Sequence, residues 1–160
     1  MRVRTASGAA GAVFFSLALG FASASPAAAV TYERNNATYH RGEDPRYTSS
    51  GWWWQGAGKF GHAGGVGAFQ ADGDKFWIAD TARDGYSVAI RWTNYRNGSP
   101  YREGVCVNKH GAGTWAYCGK DFYENSTLWV KTCTYRAKKK KFVECNMLGS
   151  EFRVSNGKVV

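Results

Sequence analysis

The sequence predicts an all-β protein: a small antiparallel β-sandwich stapled by two hairpin disulfides and preceded by a signal peptide and a polar arm. Three observations lead there. Short runs of alternating apolar residues recur at regular spacing, with turn residues between them. No segment sustains a helical period with capping residues at its ends. Four cysteines fall in two pairs, each pair twelve residues apart.

The chain divides into residues 1–29, 30–63 and 64–160. Residues 1–29 read as a secretory signal peptide. Arg2 and Arg4 give a positive start, Ala12 to Ala22 is a mostly apolar run too short to span a bilayer, and Ala27-Ala28-Ala29 is a small-residue cleavage site. Removing them leaves 131 residues, enough for one domain, with a net charge of +7 against +9 for the whole chain. Residues 30–63 form a polar, Gly/Trp-rich arm. Val30 to Ser50 has few branched apolar residues, and order there would come from docking on the domain. Gly51 to Gly67 is rich in glycine and carries Trp52, Trp53 and Trp54.

The domain begins near Gly64, with Ala68-Phe69-Gln70 as its first strand. The densest strand signal runs from Asp72 to Trp92. Lys75 to Ala79 holds Phe76, Trp77 and Ile78. Tyr86, Val88, Ile90 and Trp92 are apolar at every second position, which places them on one face. Asp72-Gly73 and Asp84-Gly85 punctuate these runs, and the two are expected to pair antiparallel. Asn97-Gly98 marks a turn after Tyr95. Strands follow at Gly104 to Val107, Thr114 to Cys118, Thr127 to Tyr135 and Phe142 to Leu148. Phe152 to Val154 adds an edge.

An exported chain meets an oxidising compartment, so four cysteines imply two disulfides. Three connectivities exist. The equal spacings favour Cys106–Cys118 and Cys133–Cys145, each pair flanking a turn-like segment. A zinc site would want a close Cys-x-x-Cys pair, and there is none.

Candidate catalytic groups are sparse. His40, His62 and His110 lie in loop-like contexts, and no Gly-x-Ser-x-Gly elbow occurs. His40 and His110 could form an acid/base pair with Lys109 holding a phosphate, against the plainer reading of solvated loop histidines. Asp72, Asp74, Asp80 and Asp84 could gather around calcium, but their spacing is not that of an EF-hand, and turn formation accounts for them better. Asp121 and Glu124 would act as paired carboxylates only if a cleft placed them. No catalytic residue, metal ligand or cofactor is therefore assigned.

The binding candidates are the aromatics and one run of charge. Trp52 and Trp54 share a face if extended and would make a platform for sugar rings; the alternative is that they plug one end of the core. Trp115 and Trp129 are expected against the disulfides. Arg136, Lys138, Lys139, Lys140 and Lys141 sit at the tip of the second hairpin, either as a solubilising tip or as a finger for an anion. The run lacks the interleaved aromatics of a single-strand nucleic-acid binder, which weighs against nucleic acid.

The segments FQADGDKFWIADTARDGYS, AIRW and GVCVNKHGAGTWAYCGKDFYE, with the hairpin of Cys133 and Cys145, resemble small secreted disulfide-containing β-proteins of actinobacteria. The resemblance covers Gly64 to Leu148 and implies a disulfide-stapled extracellular sandwich. It supplies no catalytic residues, and Trp52 to Trp54 and Lys138 to Lys141 stand outside it. The expected function is non-catalytic extracellular binding of an anionic polymer or cell-wall glycan. The competing readings are a membrane-active antibacterial toxin, from basic charge with many tryptophans, and a small secreted hydrolase.

Overall fold

The computed structural model describes residues 29–42, 44–47, 52–56 and 64–160, with backbone alone for 52–56 and for Arg46. The expected signal peptide, apart from Ala29, and His62 lie outside the described residues. Eleven strands are described. They are β1 (Thr31–Asn36), β2 (Thr38–His40), β3 (Trp52–Gly56), β4 (Gly65–Gln70), β5 (Lys75–Asp80), β6 (Ser87–Arg96), β7 (Ser99–Asn108), β8 (Thr114–Gly119), β9 (Thr127–Arg136), β10 (Lys141–Cys145) and β11 (Ser150–Arg153). One sheet has the order β1-β7-β6-β9-β10, with β11 also on β9; the other has the order β2-β8-β5-β4-β3. All pairs are antiparallel except β1 with β7.

The two sheets bury one core between them. Val88, Ile90 and Trp92 of β6 face Phe76 and Ile78 of β5, with Phe69, Phe122, Leu128, Val130 and Phe152 around them. The period-two face read from β6 is thus the core face. Its expected pairing with β5 is not formed. β5 lies between β4 and β8, β6 between β7 and β9, and the two strands face each other across the core. The connection from Thr81 to Tyr86 is too long for a tight hairpin and carries the chain from one sheet to the other. By contrast, Asn97 and Gly98 both take positive φ, 51° and 75°, and close a two-residue hairpin between β6 and β7. The sheets lie close at β4, where a Cβ on Gly67 would collide with Thr132 Oγ1 of β9.

The segment expected to be an arm is built into both sheets. β1 is an edge of the first sheet and β2 of the second. Between them the chain crosses at buried Ala37, whose N–H donates to the Val107 carbonyl at 2.8 Å. β3 is the far edge of the second sheet. Edge strands need fewer apolar residues than central ones, which is why this stretch reads as polar.

Both disulfides join the cysteines that the spacing favours. Cys133 and Cys145 are directly opposed on β9 and β10, with Cα atoms 3.9 Å apart. Cys106 and Cys118 differ in kind: β7 and β8 belong to different sheets, so this bridge crosses the core and ties one sheet to the other at 6.2 Å between Cα atoms. Two disulfides suit an extracellular protein. No helix among the described residues is long and apolar enough to cross a membrane.

Candidate functional site: a basic end of the sandwich

One end of the first sheet gathers the finish of β1, β7 and β9 and the starts of β6 and β10. The register places Asn36 opposite Val107, Val88 opposite Asn108 and Ser87 opposite Tyr135. The outer face here carries a second, smaller apolar cluster of Ala89, Val105, Val107 and Tyr135, with Ala137 and Phe142 packed on it. That floor holds the polar groups around it in fixed places.

Each loop at this end has its own anchor. Asn108 is fully buried; its Nδ2 donates to the Ile78 and Thr114 carbonyls at 3.1 and 3.0 Å, and its Oδ1 accepts from the His110 N–H at 3.0 Å. The lock fixes the backbone on both sides of exposed Lys109. The β9–β10 tip is a 3₁₀ turn, Ala137–Lys139, closed by Lys140 in the left-handed conformation with φ 52°. Arg136 Nη2 donates to the Tyr86 hydroxyl at 3.0 Å. Asp84 Oδ1 accepts from the Tyr86 N–H at 2.9 Å, the turn role expected of such an aspartate.

Two grooves open between these anchors. The larger, of about 520 Å³, runs from Asp84–Ser87 to Arg136, Lys138 and Lys139, with Lys109 on its side. The smaller, of about 200 Å³, is lined by Arg34, Asn36, Lys109, Tyr135 and Lys140 over Val107 and Ala137. Six cations therefore border the pair: Arg34, Lys109, Arg136, Lys138, Lys139 and Lys140. Asp84 is the one acid among the lining residues. Among the described residues none of the six forms an ion pair. Burial pushes the Tyr135 phenol above its ordinary range, against the pull of Arg34, so it holds its proton at neutral pH.

Of the residues singled out in the sequence, Arg136, Lys138, Lys139 and Lys140 meet at this end. Lys141, the first residue of β10, pairs with Arg136 of β9 and lines neither groove. The side chains of Trp52 and Trp54 lie outside the described residues. Their backbone pairs with Gln70 and Ala68 at the edge of the other sheet. Arg34 and Tyr135 were not singled out: each sits alone in an unremarkable strand, and only the topology brings them together.

The remaining candidates have structural partners. A His110 ring nitrogen is 2.9 Å from the Ala37 carbonyl, and its ring meets Tyr39. His40 stands edge-on to Trp77. Tyr39 and His40 are consecutive on β2 and so point to opposite faces, which separates the two histidines. Asp74 Oδ2 accepts from the Phe122 N–H at 2.7 Å and Asp80 Oδ1 from the Ala82 N–H at 3.3 Å. Among the described residues no three His, Cys, Asp or Glu side chains are gathered so that they could hold a metal ion. Trp129 is covered by Gly149 and by Lys131, whose Nζ lies 5.2 Å from its ring centroid.

Comparison with protein-family models, with curated proteins and with solved structures finds no match to this chain.

Proposed function

We propose that this is a secreted, non-catalytic binding protein for an anionic polymer such as a cell-wall polymer or acidic glycan, and that the basic end of the sandwich is the surface that meets it. The observation that carries this reading is the set of six cations around two open grooves, none of them neutralised by a carboxylate partner. A cluster of that kind repels itself unless a counter-charge arrives from outside, and a polyanion supplies many at once. The structural employment of His110, Asp74 and Asp80 supports a binding role over a hydrolytic one. The two disulfides and the resemblance to exported actinobacterial β-proteins support secretion.

The test is retention of the purified protein on insoluble cell walls, chitin and cellulose at low and at high salt. Retention on walls that disappears at high salt is the expected result, because exposed charges separated by about a Debye length, roughly 8–10 Å near physiological salt, are screened. Retention that survives salt on all three materials would instead assign the binding to aromatic stacking, with Trp52 and Trp54 the residues to replace. No retention on any of them would refute the reading.

A further inference from the structure

Resting on that reading, we infer that the smaller groove is a site for one tetrahedral oxyanion, a phosphate or sulfate group carried by the polymer, with the Tyr135 hydroxyl as its buried donor. Tyr135 is 2% exposed, yet its hydroxyl has no hydrogen-bond partner in the protein. A buried hydroxyl without a partner is costly, and most such groups in folded proteins are satisfied. Here the side chain lines a groove whose other polar walls are Arg34, Asn36, Lys109 and Lys140. No carboxylate lines it.

The donors come from four separate places: β1, the loop after β7, β9 and the left-handed turn residue of the tip. Four segments thus bring donors to one groove. A planar carboxylate presents two oxygens to such a set and leaves donors over. A tetrahedral group presents oxygens in several directions and suits an arginine fork plus point-charge lysines. Val107 and Ala137 form an apolar floor, which strengthens each charge-assisted bond by excluding water. The larger groove lacks a buried donor of this kind and would follow the chain of the polymer without fixing its register.

The purified protein would be titrated at low salt with inorganic phosphate, inorganic sulfate, polyphosphate, dextran sulfate and polygalacturonate. Three variants would be compared with the native chain: Tyr135→Phe, Arg34→Gln and the double variant Lys138→Ala/Lys139→Ala. We expect Tyr135→Phe and Arg34→Gln to bind phosphate or sulfate, free and polymeric, five- to tenfold more weakly; polygalacturonate should be unchanged in Tyr135→Phe and weakened only about twofold in Arg34→Gln, by the loss of one screened charge. Which of the two anions shows the loss identifies the group. The lysine double variant should weaken all three polymers together. Tyr135→Phe keeps the ring and its packing, and an unchanged denaturation midpoint confirms that its effect is local. Native-like binding of every tetrahedral anion by Tyr135→Phe would overturn the inference while leaving polymer binding intact. Binding of free phosphate or sulfate without any polymer would keep the site and remove the polymer reading. No anion bound at all would remove both.

Discussion

Two clusters of cations lie on this sandwich, and the fold treats them in opposite ways. In the first, Arg102 Nε and Lys120 Nζ each donate to one oxygen of Glu33 at 2.7 Å. Lys120 is 3% exposed at its side chain and rests 4.9 Å from the Trp92 ring centroid, while Arg102 lies 5.0 Å from that of Phe122. These charges are a lid over the core. In the second, Arg34, Lys109, Arg136 and the tip lysines stand around open grooves and, among the described residues, form no ion pair. Strand β1 serves both: Glu33 and Arg34 are neighbours in sequence and point to opposite faces. A cation's neighbours in space, and not the local density of lysines, decide whether it holds the fold together or waits for a partner.

The sharpest way to break the contrast is to give the first cluster the second one's condition. Glu33→Gln leaves buried Lys120 and half-buried Arg102 without a counter-charge, and should destabilise the fold by about 3 kcal/mol. Urea denaturation at pH 7 would show it as a lower midpoint at unchanged slope. A loss under about 0.5 kcal/mol would mean that water, not Glu33, solvates these cations. The pH dependence follows the same logic. Burial raises the Glu33 carboxyl, but its hydrogen bonds and charge contacts with Lys120 and Arg102 outweigh that and hold it below the ordinary range. Its contribution is complete above its unfolded pKa and is lost as pH falls through the lowered folded value.

A buried acid with no cation should behave in the reverse sense. Asp80 is 2% exposed and one of its oxygens has no partner. Burial first, and then the charge of Asp84, push its pKa up to about 6 against the Ala82 hydrogen bond. The folded state then binds the proton more tightly than the unfolded chain. Stability should fall by about 2 kcal/mol as pH rises from near 4 to about 6, and level off above. Asp80→Asn removes the titrating group and should flatten that slope. A slope that persists in the variant would place its origin elsewhere, with Asp74 the next residue to replace, since burial raises that carboxyl too.

These two halves of the molecule were unequally legible in the sequence. The strands after Gly64 announce themselves by alternation where one face is buried, as in β6, or by a dense apolar run where both are, as in β5. Which strands share a sheet does not show: Phe76 and Ile78, and Val88, Ile90 and Trp92, would alternate identically whether they paired or faced one another. The strands β1 and β2 are quiet because edge positions tolerate polar residues. The lysine run is visible as a run, and its position at a hairpin tip follows from the flanking strands and cysteines. Its partners Arg34 and Tyr135 are not visible, since a site assembled by β1 lying parallel to β7 leaves no local pattern. The Glu33 lid is hidden for the same reason, its ion pairs joining residues 69 and 87 apart.

The smaller effects sharpen the comparison from the open side. Lys138→Ala/Lys139→Ala should leave stability within about 0.5 kcal/mol, because exposed charges without partners contribute little to folding. The same change should weaken polyanion binding at low salt about tenfold and flatten its dependence on salt by about two released counterions. A destabilisation of more than about 1 kcal/mol would mean that the tip belongs to the fold and not to the binding surface. The smallest effect has the opposite sign. Asp84 is the one carboxylate in the larger groove, and it opposes any anion that enters. Asp84→Asn keeps a side-chain oxygen for the Tyr86 N–H and removes the charge. Polyanion affinity should rise two- to threefold at low salt, and the gain should vanish at high salt, as screening requires. Affinity unchanged at every salt concentration would mean that the polymer does not enter the larger groove, and would confine its path to the side of the tip that carries Arg34 and Tyr135.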